Sequence, residues 1–346
     1  MADDQGEKIF YHAAAVALMS NYRALKKLRE THGTWEATWA HIDPGLRRGI
    51  DPEKAWKSLE PQHIRLILLE NDEYPAALRE ISWSPFGIFV RGTMPDTAAR
   101  RVAIVGTRKA TESGRETAYR FGSELARAGC AVVSGLALGI DAASHAGCLD
   151  GGGMTIAVLG NGVDQLYPRT NEKIGEKILR TGGAIISEYP PGAPPLPAHF
   201  LERNRIVSGL SEAVVVIEMP KESGAQATAR FAVEQNRDVF VVPGPANHPN
   251  FYGSHQLIRN GAELVTAPAD VLEAMGISPS SAAENRSAET KEERIVLTAL
   301  KTSAQPLDID KLIELTHLET HVINSTVSFL VVKNLVVENG EGYTIM

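Results

Sequence analysis

The feature that most constrains the fold is a series of seven apolar runs between residues ~101 and ~275. Most of the runs are continuous rather than alternating, which is typical of strands that are covered on both faces. Stretches with helical spacing separate them. The runs are "RVAIVG", "AVVSG", "MTIAVLG", "AIISE", "AVVVIE", "DVFVVPG" and "ELVTA". This alternation of strand and helix predicts an α/β fold with a parallel, doubly wound sheet and right-handed crossovers.

The segments that follow these runs share one chemistry. They are rich in Gly, Ser, Thr, Asn and Pro, as in "GTRKATESG", "SGLALGID", "GNGVDQLYP" and "PKESGAQ". In an open α/β sheet they would meet at the carboxyl edge, where ligands bind. Glycines let a ligand approach the backbone, and the helices that follow point free N–H groups at that edge. The pattern predicts an anion site, with phosphate as the expected anion.

Pattern changes divide the chain into four parts. Residues 1–80 have apolar positions at helical spacing and predict a small helical domain. Residues 81–276 hold the α/β domain. Residues 277–290, within "GISPSSAAENRSAETKEE", are rich in Ser, Ala and charge and predict a linker. Residues 291–346 form a compact tail.

Composition excludes several classes of protein. The 346 residues are 43% hydrophobic and 22% charged, which is typical of globular proteins. The apolar runs are too short to span a membrane, and the acidic, polar start "MADDQGEKIF" is unlike a secretory signal, so we expect a cytoplasmic protein without membrane insertion. The two cysteines, Cys130 and Cys148, are expected to be reduced core thiols. Histidines lack ligand spacing, and we predict no metal.

The net charge of −7 argues against nucleic-acid binding, but only weakly, because binding needs just a local positive patch. "VGTRKATESG" offers such a charge in Arg108, after the first strand. Arg108 either contacts phosphate or is a solvated side chain in an ordinary turn. "LGNGVDQLYP" has two glycines of a dinucleotide fingerprint but Gln165 in the third position, so we predict no cofactor.

"SGLALGIDAASHAG" places Asp141 and His145 four residues apart on a predicted helix. The spacing suits an acid–base pair, but a packed His held by the neighbouring carboxylate is the preferred interpretation. We predict no catalytic residue. "PKESGAQATARFAVEQN" places Lys221, Ser223 and Gly224 at a helix start, which suits a phosphate, while Glu234 further along could bind a sugar.

"HFLERNR" is the most informative short motif. Phe200 and Arg203 share a helix face, and an aromatic ring beside a guanidinium suits a stacked base with its flanking phosphate. Asn204 adds an amide, and Arg205, two positions from Arg203, diverges from it. In the alternative interpretation Phe200 belongs to the core and Arg203 pairs with Glu202 or Glu188.

Seven ordered motifs covering nearly all of ~75–275 resemble the DprA/Smf family (DNA processing protein A). They are "VAIVGTRKAT", "VVSGLALGIDAASHAG", "TIAVLGNGVDQLYPRTN", "IISEYPPG", "FLERNRIVSGLS", "SGAQATARFAVEQNRDVFVVPG" and "LIRNGAELV". The resemblance implies an extended Rossmann-like domain that binds single-stranded DNA without catalysis. It also implies protection of incoming DNA in natural transformation, loading of the RecA recombinase, and a homodimer formed through the Rossmann-like domain.

The resemblance also carries site residues. By motif, the nucleic-acid-binding set comprises Gly106, Thr107 and Arg108 (the family's G-S-R loop, with Thr for Ser), Ser134 and Gly135, Phe200, Arg203, Asn204 and Arg205, and Ser223 and Gly224. Lys221 joins the set from its place at a strand end. Some members have a Lys just before the F-x-x-R-N-R segment, whereas this chain has Pro197, Ala198 and His199, so one phosphate contact is expected to be either weaker or supplied by His199.

The two terminal parts are expected to act differently. "ALMSNYRALKKL" lacks the P-G-I-G-type turn of the family's helix-hairpin-helix, so packing or interaction is favoured over DNA binding in this SAM-like domain. The tail predicts a winged helix of three helices and a wing, with Lys333 as the lone basic residue of the third helix. Since residues 291–346 hold five Lys/Arg against eight Asp/Glu, we expect the tail to contact protein, or the rest of the chain, rather than DNA.

Two alternatives to DNA binding use the same strand edge. One is a nucleotide-binding or phosphoribohydrolase-like enzyme, which "SGAQATARFAVE" loosely imitates without the P-G-G-x-G-T run of such enzymes. The other is a nucleotide-sensing module that does not bind DNA.

Overall fold

The structure is a computed structural model that describes residues 4–95, 99–277, 291–303, 305–332, 335–339 and 342–345. It divides into two compact units, Met1–Ser278 and Pro279–Met346. Within the described residues, no helix combines the length and the apolar character that crossing a membrane requires.

One large sheet organises the first unit. Its strands are β1 (Ile64–Leu68), β2 (Gly87–Gly92), β3 (Arg101–Val105), β4 (Ala131–Ser134), β5 (Thr155–Leu159), β6 (Ala184–Ser187), β7 (Ala213–Val216), β8 (Asp238–Val241) and β9 (Glu263–Leu264). They lie in the order β1-β2-β6-β5-β4-β3-β7-β8-β9. β3 to β9 pair in parallel, while β2 joins β6 and β1 in antiparallel fashion. The predicted α/β fold with a parallel sheet is confirmed.

Helices cover both faces of this sheet. They are α1 (Asp4–Leu18), α2 (Tyr22–His32), α3 (Trp35–His41), α4 (Pro44–Arg47), α5 (Pro52–Lys57), α6 (Ala76–Arg79), α7 (Glu112–Arg127), α8 (Ile140–Asp150), α9 (Glu172–Arg180), α10 (Pro197–Gly209), α11 (Gly224–Glu234), α12 (Tyr252–Arg259) and α13 (Pro268–Ala274). Strand β3 shows the result: Val102 and Ile104 pack into one apolar cluster, and Ala103 and Val105 into another. A continuous apolar run is therefore buried on both sides.

The strand order reverses at β3. The chain moves from β3 through β4 and β5 to β6 on one side, and returns to place β7 on the other side. Such a switch point opens a crevice beyond the carboxyl ends of the strands, because the flanking crossovers leave in opposite directions. The segments after β3, β4, β5 and β7 all converge there.

The segment 1–80 packs through an aromatic core and also contributes to the sheet. Trp35 is fully buried and meets Tyr11 edge-on, with their ring centroids 4.8 Å apart. The helical prediction for this segment missed β1, because periodicity alone cannot assign a short apolar run such as "IRLIL". β1 pairs with β2 across the predicted boundary at residue 80. The division into 1–80 and 81–276 stays a prediction.

The second unit has its own small core. It contains α14 (Lys291–Thr302), α15 (Ile309–Thr316), α16 (Thr320–Val332), β10 (Val336–Asn339) and β11 (Gly342–Ile345). The strands form an antiparallel hairpin, and Val296, Leu312, Ile323 and Leu330 are fully buried. The winged-helix assignment stays a prediction. Lys333 and most of the predicted linker, residues 278–290, lie outside the described residues.

Candidate functional site

A cavity of about 560 Å³ opens at the switch point of the sheet. Its walls come from the segments after β3, β4, β5 and β7 and from helices α10 and α11. Nine of the residues predicted from the sequence line it: Gly106, Thr107, Arg108, Gly135, Phe200, Arg203, Asn204, Ser223 and Gly224. Parts of the chain that are more than a hundred residues apart therefore meet in one place.

Arg203 reaches this cavity from α10 and is only 3% exposed. Its Nη1 donates hydrogen bonds to the carbonyl oxygens of Gly135, at 2.8 Å, and Val158. Nη2 donates to no acceptor among the described residues. Burial lowers the pKa of Arg203 to about 10, and Asp141 opposes that shift. The side chain stays charged at neutral pH, so the cavity contains a buried cation with one free donor group.

Asp141 lies in the first turn of α8 and is also buried. Its Oδ2 accepts hydrogen bonds from the backbone N–H groups of Gly135, at 3.1 Å, and Ala137, at 3.4 Å. Burial raises the pKa of the Asp141 carboxyl, and the nearby guanidinium of Arg203 is the strongest influence in the opposite direction. The cavity thus holds an acid beside its buried cation.

The N-terminus of α11 forms a second wall. Ser223 caps this helix and accepts a hydrogen bond from the N–H of Ala225. Asn204 donates from Nδ2 to the carbonyl of Gly224, at 3.0 Å, and accepts from Nε of Arg203. The amide of Asn204 therefore fixes the start of α11 relative to Arg203. The positive end of the helix dipole and a guanidinium face the same space, which suits an anion.

Aromatic and cationic side chains surround the outer part of the cavity. The guanidinium carbon of Arg108, an exposed residue, lies 5.3 Å from the ring centroid of Phe200. The ring of Tyr167 lies 5.6 Å from that of Phe200, tilted by 32°. A side chain at Gly160 would collide with Phe200, so this glycine admits the ring. An exposed ring and a half-buried ring beside an exposed cation suit unstacked bases and their phosphates.

Glu218, directly after β7, was not predicted as a site residue. It is fully buried and accepts hydrogen bonds from the hydroxyl and the N–H of Thr111 and from Nδ2 of Asn250. Thr111 caps α7. The carboxylate therefore balances the positive end of α7, which leaves α11 as the better helix for an external anion.

Three other predicted residues lie outside the cavity lining. Ser134 is fully buried and donates its hydroxyl hydrogen to the carbonyl of Ile104, at 2.6 Å. His199 is 7% exposed and stacks on Tyr189, with ring centroids 3.8 Å apart. Lys221 is exposed, and its neighbours rather than itself line the cavity. The binding predictions for these residues gain no support from their positions.

Arg205 is the largest departure from the predicted site. It is 1% exposed, and its Nη2 donates to both carboxylate oxygens of Glu188, at 2.7 and 2.8 Å. Its guanidinium also lies 4.5 Å from the ring centroid of Trp83. The predicted phosphate contact of Arg205 gains no support from this buried ion pair and stays a prediction. In the alternative interpretation of this motif, Glu188 is a candidate partner of Arg203. In the structure Glu188 pairs with Arg205 instead.

His145 is packed in the core, as preferred, but not by its carboxylate neighbour. The Thr155 hydroxyl donates to the carbonyl of Val132, so it accepts from Nδ1 of His145, at 2.7 Å. Nε2 is buried without a partner among the described residues. Burial lowers the pKa of His145 to about 3. Asp141 instead binds backbone N–H groups.

Sequence reasoning missed several lining residues. They include the apolar residues Tyr167, Pro195, Pro197 and Leu201, and Glu222 adds a second carboxylate. The motif that contains Tyr167 was interpreted only through its glycines and Gln165, so the aromatic ring was not predicted as part of the site. Glu234, the candidate sugar contact, pairs with Arg230 and is absent from the lining. Among the described residues, no cluster of His, Cys, Asp and Glu could hold a metal ion.

Comparison with known proteins gives consistent results. The sequence profile of the family described as DNA recombination-mediator protein A matches residues 65–276. "Protein Smf" of Escherichia coli is 40% identical over 227 residues, 66% of this chain and 60% of that protein. "DNA processing protein DprA" of Streptococcus pneumoniae is 38% identical over 227 residues, 66% of this chain and 80% of that protein.

Solved structures agree with the sequence comparisons. DNA processing protein A from Streptococcus pneumoniae matches with a TM-score of 0.65 and 32% identity, over 76% of this chain and 95% of that one. DNA processing protein A from Helicobacter pylori, described by its single-stranded DNA binding mode, matches with a TM-score of 0.54 and 30% identity, over 62% and 97%. The chain spans about 60% of the length of its Escherichia coli and Synechocystis relatives.

Proposed function

Because this chain belongs to the DNA recombination-mediator protein A (DprA/Smf) family, we propose that it binds single-stranded DNA across the cavity at the carboxyl edge of its sheet. In this role it protects incoming strands during natural transformation and helps to load RecA onto them, without catalysing a reaction. Its partners are single-stranded DNA, RecA and a second copy of the chain. RecA and a second copy of the chain are proposed from the resemblance of the sequence motifs to the family.

One observation carries the DNA-binding proposal: the buried guanidinium of Arg203 opens into the cavity with a free Nη2 group. The nearby carboxylate of Asp141 accepts from backbone N–H groups and forms no salt bridge with Arg203, so an anion from outside would further offset the cost of burying this cation. The N-terminus of α11 adds N–H donors to the same anion site. A phosphate is the anion that both groups favour.

The surroundings of this phosphate site favour a nucleic acid over a free anion. Phe200 and Tyr167 offer rings for bases, and Arg108 is free to follow a backbone phosphate. Aromatic stacking is available only to bases that are not paired, so the site favours single strands over duplex. The enzyme alternative loses its candidate sugar ligand, since Glu234 pairs with Arg230 outside the cavity lining.

The test is a salt titration of oligonucleotide binding by wild-type, Arg203→Lys and Arg108→Ala proteins. Each phosphate contact contributes about 0.7 to the slope of log affinity against log salt for a single strand. We expect Arg108→Ala to lower the slope by about that amount. Arg203→Lys keeps the charge but loses the planar guanidinium, and should weaken binding about tenfold.

Arg230→Ala is the matched control, because Arg230 is exposed on α11 and pairs with Glu234 away from the cavity. Equal affinities and slopes for all four proteins would refute the proposed site. Release of free base from nucleoside monophosphates by the wild-type protein would refute the non-catalytic role.

A further inference from the structure

Asp141 places a carboxylate inside the cavity that is proposed to bind a polyanion, and polyanion binding alone does not account for it. A site for phosphates should exclude negative charge, yet this carboxyl lines the same cavity as Arg203 and is only 6% exposed. Its position in the first turn of α8 and its bonds to Gly135 and Ala137 explain one oxygen. They leave the second oxygen, Oδ1, without an assigned role.

The hydrogen bonds of the carboxyl leave Oδ1 unused. Both backbone N–H groups donate to Oδ2. Among the described residues no hydroxyl, amide or cation donates to Oδ1, and Arg203 directs its Nη1 to carbonyl oxygens instead. Asp141 lines the cavity, so Oδ1 is an acceptor that a donor within the cavity can reach.

We propose that Asp141 is a specificity-determining residue that accepts a hydrogen bond through Oδ1 from an N–H or O–H group of the bound nucleotide. The inference rests on the proposed binding of single-stranded DNA in this cavity. Phosphate then lies at Arg203 and the N-terminus of α11, and the donor end of the same nucleotide lies at Asp141. The carboxylate rejects a second phosphate there and orients the nucleotide.

Two kinds of group on a single DNA strand can donate this hydrogen bond to Oδ1. One is a base N–H, such as N3–H of thymine. The other is a terminal hydroxyl, which would make the site recognise a strand end. Both present the same chemistry to Oδ1, and modified oligonucleotides separate them.

The experiment measures fluorescence anisotropy with three short oligothymidylates: unmodified, methylated at N3 of every thymine, and phosphorylated at the 3′ hydroxyl. Wild-type protein is compared with Asp141→Asn, which retains an acceptor for Gly135 and Ala137 but places an NH₂ group at the free oxygen. Asp164→Asn is the control, since this exposed carboxylate binds the N–H of Gly192 outside the cavity lining.

We expect one modification to weaken wild-type binding about tenfold, the usual size for a hydrogen bond to a charged group. The same modification should change binding by Asp141→Asn less than twofold. Loss on N3 methylation identifies a base donor, and loss on 3′ phosphorylation identifies a terminal hydroxyl. Asp164→Asn should behave as wild type with all three strands.

Three outcomes overturn the inference. The first is equal binding of all three oligonucleotides by wild-type protein, and the second is an equal loss of affinity on modification in both proteins. The third is tighter binding of every oligonucleotide by Asp141→Asn, which would show that the carboxylate only repels phosphate. The wild-type comparison stands even if the variant misfolds. Failure of the proposed function is seen separately, as no binding of the unmodified strand or no effect of Arg203→Lys.

Discussion

Gly135 leaves the space that the guanidinium of Arg203 occupies. A Cβ atom at this position would collide with Arg203, whose side chain is buried and cannot move freely. Since Gly135 accepts a hydrogen bond from Arg203 as well, a single residue both admits and orients the cation. The requirement for glycine here is steric and concerns the site more than the backbone.

Gly135→Ala should therefore weaken binding of single-stranded DNA about tenfold or more, because it displaces the guanidinium from the cavity. Gly224→Ala is the comparison variant: Gly224 also lines the cavity, but a Cβ atom there meets nothing within 4 Å, so this change leaves Arg203 in place. Fluorescence anisotropy with one oligonucleotide compares the two. Equal affinity of both variants would contradict this account of Gly135.

Arg205 makes a different residue-scale prediction, since its ion pair with Glu188 is buried. Breaking such a pair by removing one partner leaves the other charge uncompensated and costs about 3–5 kcal/mol. Arg205→Ala should lower the free energy of unfolding by about that amount in urea titrations. Arg65→Ala, which breaks the exposed pair with Glu73, should cost at most about 1 kcal/mol.

Arg205→Ala also tests whether Arg205 belongs to the binding site. Folded Arg205→Ala protein should keep the wild-type slope of log affinity against log salt, because the guanidinium of Arg205 is buried in its ion pair with Glu188. A slope reduced by about 0.7 would place Arg205 in the binding site.

At the scale of elements, His145 links helix α8 to strand β5 through Thr155. Its pKa is about 3 in the folded protein and about 6.5 when unfolded. The unfolded chain therefore binds the proton more readily, so this contribution to stability is complete above pH 6.5 and is lost as pH falls from about 6.5 to 3.

His145→Gln should flatten the acid side of the stability profile. The variant is expected to be less stable at pH 7 but to lose less stability than wild type between pH 7 and pH 4. Urea titrations at several pH values measure the difference, and His321→Gln, at an exposed position, should follow the wild-type profile. Parallel profiles of His145→Gln and wild type would contradict the assignment.

The sequence predicted best the strands that are buried along their whole length, because a continuous apolar run has few other interpretations. Strands β3 to β7 followed from continuous apolar runs because every residue in them is buried, whereas β8 is buried only in part and β9 is exposed. β1 and β2 were not predicted because they are antiparallel and precede the alternation of strand and helix from which the sheet was inferred. In α10, the spacing of Arg203 and Arg205 predicted that the two diverge, since each residue turns about 100°. It could not predict which of them faces the cavity, because Glu188 and Trp83 come from other elements.

At the scale of the whole molecule, the chain is acidic, yet its candidate site gathers cations and helix starts. Net charge is −7, and the fold rather than the composition brings Arg108, Arg203 and the start of α11 to one cavity. All residues of that cavity belong to the first unit, which has its own apolar clusters on both faces of the sheet. The tail contributes none of the lining residues among those described.

Removal of the tail tests this division. A chain of residues 1–278 should bind single-stranded oligonucleotide within about twofold of the full chain and with the same salt slope, because five Lys/Arg against eight Asp/Glu give the tail no excess of cations. Circular dichroism and thermal unfolding establish that the truncated chain is folded. Since each lost phosphate contact lowers the slope by about 0.7, a smaller slope after truncation would mean that the tail grips DNA, and its predicted role in contacting protein would fail.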